Sequence, residues 1–203
     1  MSNITAIFSD VGGVLATNGW DRGERKALAA QFQLDWDEFE DRHELIVTAF
    51  ETGRLALDAY LERTIFYRHR EFTREQIKAF MFERSQPNEA SLSLMGRLAA
   101  SGKYFLATLN NESRELNRHR IEKFELKKYF TVFFSSCFLG LKKPDEEIYT
   151  KALEISQRPP EECVFIDDRA LNLDAPRRLG MNVIQFQNAA QLERELRALG
   201  VEF

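Results

Sequence analysis

Four short stretches of this chain hold residue types that can do chemistry. They are Asp10 with Val11-Gly12-Gly13, the pair Asn110-Asn111, the run Gly140-Leu141-Lys142-Lys143-Pro144, and the pair Asp167-Asp168. Brought into one crevice, three carboxylates against a lysine would leave surplus negative charge that is costly to desolvate. Hard oxygen donors in that number suit Mg²⁺, which prefers one or two carboxylates with waters and a substrate phosphate. A carboxylate held beside such a cation can attack phosphorus, so Asp10 is the candidate nucleophile and an aspartyl-phosphate the candidate intermediate. The N–H groups of Val11-Gly12-Gly13 are candidates to hold the transferring oxygens, because glycines let the backbone approach a ligand closely.

Elements that could position these residues follow from hydrophobic period. Short apolar runs at 4–8, 104–109, 131–134, 163–166 and 183–186 read as buried strands. From about 21 to 84 the pattern is helical instead, most clearly where Trp36, Phe39, His43, Ile46, Val47 and Phe50 recur three and four apart. Thr73 and Gln76 form a capping box, Gly102 stands where a helix C-cap is expected, and Pro144 precedes an acidic first turn of Asp145, Glu146 and Glu147. Strands alternating with helices predict an α/β fold, a doubly wound parallel sheet with an all-helical insert after the first strand. Ligands of such a sheet sit outside the carboxyl ends of its strands. The first strand would deliver Asp10, the second Asn110 and Asn111, the fourth Asp167 and Asp168, and the loop after the third Lys143.

Composition excludes several classes. Among 203 residues, hydrophobic types make up 44% and charged types 30%, too apolar for a disordered chain. A net charge of -4 argues against nucleic acid as a partner, since duplex binding needs a basic face. No apolar run approaches the roughly 20 residues of a membrane span, and the N-terminal residues do not read as a signal peptide. Cys137 and Cys163 alone make neither a disulfide framework nor a thiolate metal cage. A cytoplasmic protein without a membrane partner is expected.

The quoted residues carry a resemblance. Asp10-Val-Gly-Gly-Val-Leu, the Asn110-Asn111 strand end, Gly140-Leu-Lys-Lys-Pro-Asp and Val164-Phe-Ile-Asp-Asp-Arg resemble the four motifs of the haloacid dehalogenase-like hydrolase superfamily, in the right order. Each motif is weak singly; the conjunction is specific and spans the whole chain. The similar branch is that of small, helical-cap phosphatases of the glucose-1-phosphatase kind. The resemblance implies a Rossmann-like core at 1–15 and 87–203, with 16–86 as a helical cap. It also implies a Mg²⁺-dependent phosphatase of small phosphorylated metabolites.

Carried over residue by residue, Asp10 is the nucleophile and a metal ligand. The Gly12 carbonyl and Asp168 complete the protein ligands, and Asp167 ligates through water or steadies Asp168 from behind. Lys143 binds the phosphoryl group, with Gly12, Gly13, Asn110 and Asn111 also at the substrate, and Asn110 joins Asp10 and Lys143 in the catalytic set. Two positions depart from the pattern. Asn110 stands where the family usually has Ser or Thr. Gly12 stands where its phosphatases usually have a second Asp, which protonates the leaving group and later activates water. General acid help is typically worth 10²–10⁴-fold, so activated esters such as sugar 1-phosphates are the expected substrates.

Other residues have plainer readings. His43 reads as a packed cap histidine, Trp20 as a staple at the core–cap junction, Arg169 as a loop residue, and the charged run at 112–128 as a solvated helix face. Two rival functions share the fold: a metal-independent 2-haloacid dehalogenase, and a catalytically weak member that only binds a phosphometabolite or a protein partner. The Asp167-Asp168 pair weighs against the first, because such dehalogenases replace it with neutral residues. Retention of Asp10 and Lys143 weighs against the second. The oligomeric state, monomer or homodimer, stays open.

Overall fold

Strand β1 (Ala6–Ser9) is buried along its whole length, as a strand covered on both faces must be. In the computed structural model, which describes residues 3–202, β1 is the centre of a five-stranded sheet. Residues 1, 2 and 203 of the expected core lie outside the described residues. The other strands are β2 (Phe105–Asn110), β3 (Val132–Ser135), β4 (Cys163–Asp167) and β5 (Asn182–Gln185). All pair in parallel, in the order β3-β2-β1-β4-β5. Ser9 stands level with Thr108 on one side and Ile166 on the other. One residue further on, Asp10 and Asp167 emerge side by side at the carboxyl edge, with Asn110 next to them.

Period-two alternation sorts the strand residues between two apolar layers. Ile7, Leu106, Val164 and Ile184 pack against α5 (Glu89–Ser101), α6 (Arg114–Lys123) and α10 (Ala189–Ala198). On the opposite face, Phe8, Ala107, Leu109 and Phe165 pack against α8 (Glu146–Ser156) and α9 (Asp174–Arg178). A one-turn helix, α7 (Ser136–Leu139), follows β3. Gly102 closes α5 with φ +65°, as expected of a C-cap. Asp145 is the N-cap of α8 rather than part of its first turn, which holds Glu146 and Glu147.

The helical run after β1 resolves into α1 (Arg22–Gln31), α2 (Trp36–Glu51), α3 (Leu57–Thr64) and α4 (Arg74–Glu83). Asp21, Asp35 and Thr73 accept hydrogen bonds from the third helical residue after them, and Thr73 with Gln76 completes the capping box. These helices share their own apolar cluster, built on Leu28, Phe39, Phe50, Tyr60, Leu61, Ile65, Ile77 and Met81. Leu116 of α6 is the buried residue that joins this cluster from beneath.

Two short linkers connect the insert to the sheet, and they are tied to each other. Ala16 and Pro87 form an antiparallel bridge, and the Thr17 N–H donates to the Gln86 carbonyl at 2.9 Å. Thr17 Oγ1 donates to the Arg84 carbonyl at 2.6 Å. Arg120 of α6 reaches both strands of this junction, donating to the Thr17 carbonyl at 2.8 Å and to Ser85 Oγ at 3.1 Å. No helix among the described residues is long and apolar enough to cross a membrane.

Candidate active site

Asp10, Asp167 and Asp168 each offer an oxygen within 4.8 Å of the others. Lys143 enters from the loop after α7, and its Nζ lies 3.0 Å from Asp10 Oδ2 and 2.6 Å from Asp167 Oδ2. Asn111 holds this lysine by its backbone. Its amide donates to the Lys143 carbonyl and accepts from the Lys143 N–H, both at 2.8 Å. Asp167 is fixed in turn by Asn172 Nδ2 at 3.0 Å and by the Arg169 N–H at 2.8 Å.

Electrostatics follow from burial. Burial pushes the Asp10 carboxyl up to about 7, with Lys143 pulling it down and Asp167 pushing it further up. Burial also raises the Asp168 carboxyl, helped by Asp167 and opposed by Arg169. Burial works against charge on Lys143, but Asp10 and Asp167 outweigh it and hold the ammonium above its ordinary range. Asp168 Oδ1 is buried with no hydrogen-bond partner. An orphaned carboxylate oxygen among three acids and a single lysine is the setting a hard divalent cation fits.

Above this floor lies a cavity of about 440 Å³ between the sheet edge and the helical insert. Asp10, Gly12, Asn111 and Lys143 line it from below, and Trp20, Arg25, His43 and Phe50 from the insert. His43 is therefore both packed and at the cavity, its Nδ1 2.8 Å from the Tyr60 hydroxyl. The Trp20 indole N–H donates to the same hydroxyl at 2.9 Å, a bond inside the insert rather than across its junction with the sheet, and Trp20 also lines the cavity. Arg169 is exposed, as expected of a loop residue, and stands at the cavity rim.

Three expectations change. Asn110 does not line the cavity. Its amide closes a buried ring, donating to Asn117 Oδ1 at 3.0 Å and accepting from Ser135 Oγ at 2.9 Å, while Asn117 donates to Ser135 at 3.0 Å. The ring holds the ends of β2 and β3 to α6, and Asn111 takes the position facing the cavity. Gly13 does not line the cavity either, and its N–H donates to the Ala16 carbonyl at 2.8 Å. It has φ +74°, and a Cβ there would collide with the Asp168 carboxylate, so glycine is required for packing. The Val11 N–H is likewise committed, to Asp10 Oδ1 at 2.8 Å. Of the three turn amides, Gly12 alone lacks such a bond among the described residues and borders the cavity.

Glu112 and Arg120 were read as part of a solvated charge run, yet both are buried and both line the cavity. Arg120 is 1% exposed. The signal that could have found it is helical phase. Leu116, Asn117, Arg120 and Ile121 share the buried face of α6, three and four apart.

Known proteins similar to this chain agree with the geometry. A family model described as haloacid dehalogenase-like hydrolase matches residues 4–180. Flavin mononucleotide hydrolase 1 of Arabidopsis thaliana is 30% identical over 162 residues, 80% of this chain and 65% of that protein. Bifunctional epoxide hydrolase 2 of Mus musculus is 38% identical over 80 residues, 39% of this chain and 14% of that protein. The chain thus spans less than two thirds of the length of these relatives. A HAD family enzyme of Bacteroides thetaiotaomicron, solved in complex with magnesium and inorganic phosphate, has a TM-score of 0.75 at 22% identity. That match covers 92% of this chain and 96% of the other, a likeness of fold.

Proposed function

The chain belongs to the haloacid dehalogenase-like hydrolases, and from that premise we propose that it is a Mg²⁺-dependent phosphatase of small phosphorylated metabolites. The observation that carries the reading is the gathering of Asp10, Asp167 and Asp168 around Lys143 at the floor of one cavity. Asp10, the Gly12 carbonyl and Asp168 would hold the metal, with Asp167 ligating through water or steadying Asp168. Bound there, Mg²⁺ would offset the surplus negative charge and shield an anionic phosphate from the approaching carboxylate. The magnesium and phosphate of the Bacteroides structure, and the flavin mononucleotide named for the Arabidopsis relative, support phosphate chemistry here.

Asp10 attacks phosphorus, forms a phosphoaspartate and expels the leaving oxygen; water then hydrolyses it. Lys143 binds the phosphoryl oxygens and offsets charge in the transition state, and Asn111 keeps its backbone in register. Residues 16–86 act as a cap over a core of 1–15 and 87–203, closing on a small substrate and excluding water. Glycine at position 12 supplies no acid, which favours esters with good leaving groups, sugar 1-phosphates among them. A cytoplasmic location goes with such substrates.

The test is phosphate release from a panel including sugar 1-phosphates and acetyl phosphate, run with Mg²⁺, with EDTA, and with Asp10→Asn. Turnover that needs both metal and Asp10 is expected. Metal-independent halide release from 2-chloropropionate would instead establish the dehalogenase reading. Mg²⁺ binding with no turnover on any phosphate would make the protein a binding member of the family.

A further inference from the structure

At Gly12 the backbone adopts a conformation open to any residue, and a Cβ would meet Asn18 Oδ1 at 3.3 Å and Arg120 Nη1 at 3.6 Å. The backbone does not force glycine there, and the tight contact is with the end of the Asn18 side chain, which a small shift would relieve. The Arg120 guanidinium faces this position, and its Nη1 lies 3.3 Å from Glu112 Oε2. Glu112 sits in the loop directly after β2 and lines the same cavity as Asp10 and Lys143. Its carboxylate is aimed by neighbours: Oε1 accepts from the Ser113 N–H at 3.0 Å, and its own N–H donates to Ser136 Oγ at 3.0 Å. The residue is 7% exposed.

We propose that Glu112 is the general acid and base of the reaction, carrying the proton that a carboxylate at position 12 would otherwise carry. This rests on the phosphatase reading and extends it towards esters of ordinary alcohols. As Asp10 forms its bond to phosphorus and the P–O bond to the leaving group breaks, the Glu112 carboxyl gives its proton to the departing oxygen. The resulting carboxylate then takes a proton from the water that attacks phosphorus and breaks the Asp10–phosphorus bond. Alcohol and inorganic phosphate leave, and both carboxyl groups return to their starting states.

Burial pushes the Glu112 carboxyl up to about 7, with Arg120 of α6 opposing and Glu51 of α2 adding to the rise. Glu51 is itself paired with Lys142. A group poised near neutrality is suited to giving a proton and then taking one back.

Glu112→Gln keeps the size of the side chain and tests the role. With p-nitrophenyl phosphate, the variant should release a burst of p-nitrophenolate and then turn over slowly, because the leaving group needs no proton but the water still needs a base. With an alkyl phosphate, kcat/KM should fall about 10²-fold and show no burst. Gly12→Asp added to Glu112→Gln should restore alkyl phosphate turnover by at least about tenfold, which also guards against a folding defect. An equal loss on both substrates without a burst would overturn the proposal and leave Glu112 as a brace for Arg120. Unchanged kinetics would overturn it too. Wild-type turnover by Asp10→Asn would sink the phosphatase reading itself, whatever Glu112 does.

Discussion

His43 shows how a single side chain at the cavity ties the fold to pH. Burial, aided by Arg25 and opposed by Glu40, pushes its imidazole down to about 4. The unfolded chain takes up a proton near pH 6.5 that the native state refuses until about pH 4, so the share of stability that His43 contributes falls as pH drops through that window, against the opposite drift from the raised carboxyls of Asp10 and Glu112. The expected loss is about 3 kcal/mol by pH 4. Unfolding free energies from urea titrations at pH 7 and pH 4 should change differently in His43→Gln and in the parent chain, by about that amount, and an identical change in both would contradict this origin. Legibility at this scale divides by residue. Asp10, Asp167 and Asp168 could be read because each follows or ends an apolar run that the sheet brings to one edge, and Lys143 because Gly140 to Pro144 punctuate the loop after the third run. Whether Asn110 or Asn111 faces the cavity could not, because the choice is made by Asn117 and Ser135, brought in from α6 and β3. Arg120 was hidden by its neighbours: four of the six residues around it in Arg118–Phe124 are polar or charged.

Helices α1 and α2 meet through a fork. Arg25 donates to both carboxylate oxygens of Glu40, at 2.8 and 2.7 Å, and a third bond to the Trp20 carbonyl at 2.9 Å anchors the start of the insert. Removing one partner of a buried pair strands the other, at a cost of about 3–5 kcal/mol. Arg25→Leu should therefore lower Tm by roughly 10 °C in a chain of this size. Adding Glu40→Gln should recover part of the loss, and thermal unfolding followed by circular dichroism would read both. No recovery would mean that Arg25 acts by packing alone. The sequence pattern for this region read correctly as helical, with the face of α2 in phase, but the breaks were less visible. Thr73 was legible as the cap of α4, while the others lie at Asp21 and Asp35, both capping residues, and at Gly53, whose φ of +72° follows the end of α2. Short polar residues among many others on exposed helix surfaces give little contrast, so the pattern showed helical faces without most of the points where the chain turns back on itself.

For the molecule as a whole, the two linkers decide how the insert rides on the sheet. Arg120 holds the Thr17 carbonyl and Ser85 Oγ at once, and Lys123 adds a bond to the Ser85 carbonyl at 2.8 Å. Arg120→Met should loosen this junction while leaving the sheet intact. Hydrogen exchange at the Thr17 and Gln86 amides is expected to quicken about 10- to 100-fold, with α5 and β1 unchanged. Equal acceleration across the sheet would show instead that the whole fold had been weakened. The central place of β1 has a different kind of consequence. Its partners β2 and β4 lie about 100 and 160 residues further along the chain. At a synthesis rate of about 5–20 residues per second, β1 waits on the order of 5–20 s for its first neighbour. The contacts of α1 to α4 are local and need no such wait. On the ribosome, the wall that would choose a substrate can thus be standing before the floor that would act on it exists.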